Sequence, residues 1–234
     1  MKRITLLGLL FLFATAPVQA QTGLQRAKAA LPRDAARALE QTVVSARKRG
    51  LPTEPLVDKA LEGVAKRVPP SVILAAVRQK ADLLARADAA LRPFGPPTAA
   101  DVTSTADVLQ RGLSVDLIRK VRAGRGRGET IGLSLHTVAD LIERKVPASV
   151  SLEVINSWRE RGGQSERLRE LPAEVERLIR MGVSPSAAGR RVAEAARQGR
   201  PPAPPGRPGN RPISRREQRG GSPAEPPVRN RPRN

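Results

Sequence analysis

Residues that exchange a proton near neutral pH are scarce in this chain. The sequence contains one histidine, His136, and neither cysteine nor tyrosine. A serine-based catalytic triad would have to use this histidine, and so would a histidine-based metal site. The surrounding sequence, LSLHTVADLIE, supplies apolar neighbours and no metal ligand at a recognised spacing. We interpret His136 as a residue of a helix surface or of the core.

Pairs of carboxylates are the second candidate for catalysis, because one raised and one lowered pKa can support acid–base chemistry without histidine. Glu174 and Glu176 are two residues apart, so they lie on divergent sides of a helix. Glu166 and Glu170 are four apart but have arginines between them. Solvated, salt-bridged helix faces account for both pairs. We therefore predict a non-catalytic protein without cofactor or metal, and keep a carboxylate-based enzyme of unknown substrate as the alternative.

The segment RAGRGRGET, residues 122–130, is a candidate anion site. Glycines alternate with arginines here, so backbone amides and guanidinium groups could surround a phosphate or sulfate. The contacts would come from Arg122, Arg125 and Arg127, and a helix predicted from Glu129 would add the positive end of its dipole. The segment lacks the lysine and hydroxyl residue of a nucleotide-binding P-loop. Nucleotide hydrolysis is not expected, and a flexible basic connector is the alternative interpretation.

The last 37 residues, 198–234, form a second basic region, which we call the tail. It contains ten prolines, five glycines and nine arginines, but only two acidic residues. With so few aliphatic side chains it cannot bury enough apolar surface to fold, so we predict that it is disordered. A passive, solubilising tail is the alternative to a binding one. The candidate contacts with anions in the tail are Arg207, Arg211, Arg215, Arg216 and Arg219.

The formal net charge of +20 favours anionic partners. Aromatic residues make up only 2% of the chain, so stacking on single-stranded nucleic acid has almost nothing to use. We expect the tail to contact anionic lipid, lipopolysaccharide or acidic glycan, and the rest of the chain to bind an unidentified protein partner. Sequence-specific binding of nucleic acid is not expected. A nucleic-acid-binding protein is a further alternative, and it requires that the export signal described next be misread.

Residues 1–20 have the pattern of a signal peptide. Lys2 and Arg3 precede thirteen largely apolar residues, and Val18 and Ala20 follow at the positions that a signal peptidase reads. Thirteen residues are too few to cross a bilayer as a helix, which needs about 20. We predict cleavage after Ala20, no transmembrane segment after cleavage, and a bacterial periplasmic or secreted protein. The lack of cysteine fits a bacterial envelope.

Five similar junctions determine how the predicted elements follow one another. They are KRGLPTEP, KRVPPSVI, QRGLSVDL, ERKVPASV and MGVSPSAA, and each ends one helix and begins the next. In three of them Gly50, Gly112 or Gly182 stands where a helix can end in the left-handed conformation. The other two follow the same plan at Arg67 and Lys145. A threonine, serine or proline then suits the start of the next helix.

Apolar residues recur at helical spacing between the junctions, as in Leu171, Val175 and Leu178. No segment alternates with period two for long enough to predict a strand. The sequence therefore predicts an all-α fold, an irregular bundle or array of roughly eight to nine short helices. The uneven spacing of the junctions argues against a regular superhelix. The stripe that ends at Val154 and Trp158 predicts that the tryptophan lies in the core.

The predicted helices span 34–49, 54–66, 70–91, 99–111, 115–123, 129–144, 148–161, 172–181 and 185–197, with one further turn near 165–170. Thr53, Ser114 and Ser184 are predicted to cap or initiate the helices that follow them. Residues 92–97, rich in proline and glycine, are a predicted linker. It would separate an N-terminal helical subdomain, 21–91, from a C-terminal one, 98–197.

Overall fold

The structure is a computed structural model that describes residues 18–124, 130–162 and 165–199. Within these ranges short loops join ten α-helices and there are no strands, so the all-α prediction is confirmed. A 3-10 turn, Arg92–Phe94, follows the fourth helix, and another, Ser165–Glu170, follows the eighth. The helices are α1 (Val18–Ala29), α2 (Arg33–Lys48), α3 (Glu54–Ala65), α4 (Pro70–Leu91), α5 (Ala99–Gln110), α6 (Val115–Ala123), α7 (Gly132–Glu143), α8 (Ala148–Glu160), α9 (Leu171–Arg180) and α10 (Pro185–Arg197).

Helix α1 is one helix more than the sequence predicted. It packs against α2 and α3 through two buried side chains, Leu24 and Ala27. Gly23 allows the close approach, because a Cβ atom there would lie 3.0 Å from Cγ1 of Val57 in α3. With only Leu24 and Ala27 buried among its described hydrophobic side chains, α1 has too short a stripe for periodicity to reveal. Both buried residues lie beyond Ala20, the predicted cleavage position.

The helices form an irregular array in which extensive packing is local. In the part of the chain that the structure describes, each helix packs extensively only on helices one or two places away. Thus α5 packs on α4 and α7, and α10 packs on α8 and α9. One continuous apolar core connects them from Leu24 to Ala196. It includes Trp158, as predicted.

The segment between α4 and α5 contains the predicted linker. Helix α4 ends at Leu91, a 3-10 turn follows, and Gly95 takes a positive φ of 109°. The chain reverses here so that α4 and α5 pack against each other over much of their lengths. Two separate subdomains on either side of residues 92–97 remain a prediction. None of the described helices is both long and apolar enough to cross a membrane.

The predicted helix ends are confirmed at the junctions that contain glycine. Gly50, Gly112 and Gly182 have φ angles of 72°, 92° and 87°. At the first of them the N–H of Leu51 donates to the carbonyl of Ala46 at 3.0 Å. The other two junctions have equivalent bonds. Each bond satisfies a carbonyl that the end of the helix would otherwise leave without a donor.

The two junctions that lack glycine adopt the same geometry at an energetic cost. Arg67 and Lys145 have φ angles of 54° and 65°, in the left-handed region. The N–H of Val146 donates to the carbonyl of Leu141 at 3.1 Å, so the hydrogen bonding matches that of the glycine junctions. A side chain in this conformation brings Cβ close to the following carbonyl oxygen.

Replacing Lys145 with glycine should therefore raise the free energy of unfolding by about 1 kcal/mol, because the steric cost disappears. The midpoint of urea unfolding measures the change. Gly112→Ala is the matched control and should lower stability by a similar amount, since it adds a Cβ at a φ of 92°. A Lys145→Gly protein less stable than the original would show that chain entropy outweighs the strain.

All three predicted residues stand directly before the helices they were expected to cap or initiate, and two of them cap through the side chain. The hydroxyls of Ser114 and Ser184 accept from N–H groups three residues later, at 3.2 and 3.4 Å. Thr53 makes no such bond, because its φ and ψ of −99° and −23° are helical and not extended. An N-cap needs the extended conformation for its hydroxyl to reach the free N–H groups. Thr98, which was not predicted, caps α5.

The start of α7 was predicted at Glu129, which lies outside the described residues. In the structure α7 begins at Gly132, and the N–H of Ile131 donates to the side chain of Asp101. The other eight predicted helices agree with the structure to within one residue at each end. The predicted turn near 165–170 is the second 3-10 turn.

Thr105 in α5 is fully buried, and its hydroxyl finds no hydrogen-bond partner among the described residues. Thr105→Val keeps the shape of the side chain and removes the unsatisfied group. It should raise the free energy of unfolding by about 1 kcal/mol. Thr137→Val is the control, because that buried hydroxyl donates to the carbonyl of Leu133 at 2.8 Å and its loss should destabilise. The midpoints of urea unfolding of both variants test this prediction. Shifts of the same sign and size in the two variants would contradict it.

Candidate functional site

A cleft of about 350 Å³ lies between α2 and α4 and is the candidate binding site. One face of α2 forms its first wall, because the residues that line it recur every three or four positions. One turn of α4 forms the second wall. The lining residues are Ala38, Gln41, Thr42, Ser45, Ala46, Arg49 and Leu51 on the first side, and Arg78, Ala81 and Asp82 on the second.

Small side chains keep this cleft open. Ala38 and Ala81 are half-buried and Ala46 is fully buried, so no long apolar side chain fills the space between the helices. Leu51, which follows the Gly50 turn, is buried at one end of the cleft. The polar residues of the lining are mostly exposed. The cleft is therefore a polar groove above a floor of small residues.

Two arginines give the cleft its charge. Neither Arg49 nor Arg78 has an ion pair or side-chain hydrogen bond with any residue in the described ranges. The same holds for Asp82, the acidic group of the lining. Other arginines differ, since Arg111 and Arg144 bind carboxylates on neighbouring helices. Two guanidinium groups with free donors and one carboxylate leave the cleft with a net positive charge.

The sequence did not reveal this cleft. Its cations lie 29 positions apart, and only the packing of α2 on α4 brings them to one groove. A partial signal exists in α2, where Gln41, Ser45 and Arg49 recur at a four-residue spacing beside the apolar stripe. That pattern is typical of any exposed helix face, so it predicts no site by itself.

The predicted anion site at residues 122–130 is only partly described. Arg125 and Arg127 lie outside the described residues. Arg122, in the last turn of α6, places its guanidinium carbon 6.0 Å from the centre of the Phe94 ring, which is a cation–π distance. It also lines a cavity of about 40 Å³ together with Asp101. An anion held by Arg122 in this cavity would also face the charge of that carboxylate.

Asp101 joins the start of α5 to the start of α7. It is buried, with only 8% of its surface exposed. One carboxylate oxygen accepts the N–H of Ile131 at 2.9 Å, and the other accepts the hydroxyl of Thr98 at 2.9 Å. The carboxylate thus satisfies a backbone donor beside the first turn of α7. The Thr-x-x-Asp spacing was available in the sequence as a helix-start signal, but its contact with Ile131 was not.

The tail arginines predicted to contact anions lie outside the described residues. They are Arg207, Arg211, Arg215, Arg216 and Arg219. The last described residues of the chain are Gln198 and Gly199, which end α10 with the same left-handed turn as the internal junctions.

His136 lies half-buried on α7 beside a cluster of ion pairs. Its Nδ1 is 3.5 Å from Arg111, which also bonds Glu143 at 2.8 Å and Asp140 at 2.5 Å. The hydrogen bond from Arg111 lowers the pKa of Glu143, and the same bond raises the pKa of the arginine. The cluster joins α5 to α7.

The carboxylates considered for catalysis occupy separate ion pairs. Glu174 pairs with Arg177 at 2.6 Å, and Glu176 pairs with Arg144 at 2.9 Å. Glu170 is 3.2 Å from a guanidinium nitrogen of Arg167, while the side chain of Glu166 lies outside the described part of the chain. Among the described residues, no group of three or more histidine, cysteine or acidic side chains is placed to hold a metal.

Glu62 on α3 has a strongly lowered pKa. Hydrogen bonds from Lys59 at 2.8 Å and Lys66 at 2.5 Å lower its pKa from 4.5 to about 2. Because the folded pKa is the lower one, the unfolded chain takes up the proton first as the pH falls. The stability from this group is present above about pH 4.5 and is lost as the pH falls towards 2.

Glu62→Gln should therefore be less stable than the original protein at pH 7, with a difference that shrinks steadily below pH 4.5. Urea unfolding at a series of pH values measures this difference directly. The difference between the two proteins isolates Glu62 from every other acid that titrates in the same range. A difference that stays constant down to pH 2 would contradict the prediction.

Comparison of the chain with protein families, with curated proteins and with solved structures found no match.

Proposed function

We propose that this chain is an exported, non-catalytic helical protein of the bacterial envelope, whose helical array binds a protein partner and whose tail contacts anionic polymers. The uneven distribution of charge is the observation on which the proposal rests. The tail has nine arginines and only two glutamates, so its own acids cannot neutralise it. An unneutralised basic segment attracts polyanions without regard to their sequence.

The shifted acidic groups of the array are held in ion pairs and are not poised for proton donation. Ion pairs join neighbouring helices, as between Lys28 and Glu40 at 2.8 Å. In the part of the chain that the structure describes, the carboxylates with a shifted pKa are Glu62 and Glu143, and both pKa values are lowered. A general acid near neutral pH needs a raised pKa, so these groups are better suited to ion pairing than to proton donation. This favours a binding protein over the carboxylate-based enzyme.

The role of the tail is tested with two variants that lose the same number of positive charges, one in the tail and one in the helical array. In one full-chain variant five tail arginines become glutamine, namely Arg207, Arg211, Arg215, Arg216 and Arg219. In the matched control five exposed arginines of the array become glutamine, namely Arg33, Arg47, Arg86, Arg190 and Arg191. Binding to lipopolysaccharide, anionic vesicles and duplex DNA is measured across a salt series.

We expect the tail variant to lose binding and the control to keep most of it. The original chain should show affinity that falls steeply with salt, because arginine contacts release counterions from the polyanion. Equal losses in both variants would show that the position of the charge is irrelevant. Two results together would favour a nucleic-acid-binding protein instead. The chain would bind DNA more tightly than envelope polymers, and in cells it would be found in the cytoplasm with residues 1–20 still attached.

A further inference from the structure

We propose that the cleft between α2 and α4 binds an acidic peptide segment of a protein partner. This inference rests on the proposed binding role of the array, for which it supplies a place and a ligand chemistry. The starting observation is that Arg49 and Arg78 line one groove and neither has a partner within the described residues. The two side chains line a cleft of about 350 Å³, a volume within the range of small-molecule pockets.

Arginine is the cation best matched to a carboxylate ligand. Its planar guanidinium can donate two parallel hydrogen bonds to one carboxylate, and such charge-assisted bonds are about twice as strong as neutral ones. Arg49 follows the last turn of α2, and Arg78 lies in the middle of α4, so the two approach the groove from opposite walls. Two acidic side chains of an extended segment, or one between the arginines, could be held in this way.

The remaining lining suits a peptide backbone. Gln41 and Ser45 offer both donors and acceptors, and Asp82 offers an acceptor for peptide N–H groups. Ala38 and Ala81 are small enough to let a backbone approach the floor. Peptide segments need such alternating donors and acceptors because each residue presents one N–H and one carbonyl.

Asp82 also distinguishes a peptide from phosphomonoester ligands. A phosphomonoester bears close to two negative charges and a carboxylate bears one, so Asp82 in the same cleft would repel the phosphomonoester more strongly. The lining contains no aromatic residue, so bases or sugar rings would find no surface for stacking. An acidic peptide is therefore favoured over nucleic acid and over phosphomonoesters, while the vesicle measurement described below separates it from phosphodiester head groups.

The test uses the full chain and a fluorescein-labelled octapeptide of alternating glutamate and alanine. Fluorescence anisotropy measures its Kd near physiological salt for the original protein and two double variants. Arg49→Gln with Arg78→Gln removes both cleft cations. Arg190→Gln with Arg191→Gln is the matched control, because it removes the same charge from exposed positions of α10 outside the cleft. Circular dichroism checks that both variants keep their helices.

We expect the cleft variant to raise Kd by about tenfold or more, and the control by less than about threefold. Equal changes in the two variants would overturn the proposal, because the peptide would then respond only to net charge. Peptide binding that depends on the five tail arginines and not on Arg49 and Arg78 would also overturn it. That result would leave the polyanion role of the tail intact, so the two proposals fail separately.

Vesicles of phosphatidylglycerol provide the remaining arm of the test. If vesicle binding falls in the cleft variant while peptide binding does not, the cleft recognises a phosphate head group and the peptide proposal is wrong. If the cleft variant and the control bind vesicles equally, but the cleft variant binds the peptide more weakly than the control, the cleft recognises an acidic peptide.

Discussion

Asp101→Ala is expected to lower the free energy of unfolding by about 3 kcal/mol. The substitution removes both acceptors that this buried carboxylate provides, one for the N–H of Ile131 and one for the hydroxyl of Thr98. The N–H of Ile131 is buried and would have no other acceptor in the described residues. An unsatisfied buried donor retains its desolvation cost, and the hydrogen bond between the starts of α5 and α7 is lost.

Asp34→Ala is the control for this prediction. Asp34 also lies in the first turn of its helix, so both substitutions remove a favourable charge near a helix N-terminus. Its side chain is 99% exposed and its nearest cation is 3.9 Å away, so its loss should cost well under about 1 kcal/mol. Unfolding in urea gives both values. Similar values for the two variants would mean that the Ile131 contact adds nothing.

Gly189→Ala is expected to lower the free energy of unfolding by about 2 kcal/mol, although alanine favours helices more than glycine does. Gly189 lies where α10 crosses α8. An added Cβ would lie 2.6 Å from Cγ1 of Val150 and 2.9 Å from Cγ1 of Val146. Both distances are shorter than carbon atoms allow, so the helices would have to separate and lose part of their packing.

Two comparisons separate this clash from the general effect of the substitution. Gly124→Ala should be nearly neutral, because the one atom that its Cβ would approach too closely is at the flexible end of the Arg159 side chain, while Asn156 lies at ordinary contact distance. The double variant Gly189→Ala with Val150→Ala should be more stable than the sum of the single effects, since the shortest contact is relieved. Thermal unfolding compares the original protein with the three single variants, Gly189→Ala, Gly124→Ala and Val150→Ala, and with the double variant. A Gly189→Ala protein more stable than the original would show that α8 and α10 adjust at little cost.

The turns and caps could be predicted from the sequence, because they depend on residues that are close together in the chain. Gly50 and Ser114 act on backbone groups within a few residues, so their turn and cap are visible without a structure. Even the left-handed turns at Arg67 and Lys145 followed from the shared plan of the junctions.

Contacts between distant residues could not be predicted in the same way. The bond from Ile131 to Asp101 joins residues 30 positions apart, and nothing in either local sequence indicates the other. The cleft likewise requires the packing of α2 on α4, which places Arg49 and Arg78 on opposite walls. Helix α1 was missed for another reason, because Leu24 and Ala27 are too few to make a stripe.

The local packing of the array determines how a disturbance travels through it. Because helices pack extensively only on neighbours one or two places away, the stability of the described chain is close to a sum over successive interfaces. Opening of α1 from α3 leaves the interface of α8 with α10 intact, so unfolding can begin at one end and advance by stages. A ligand in the cleft of α2 and α4 would secure the N-terminal helices first. The more distant helices would be stabilised only indirectly, through the interfaces that lie between them and the cleft.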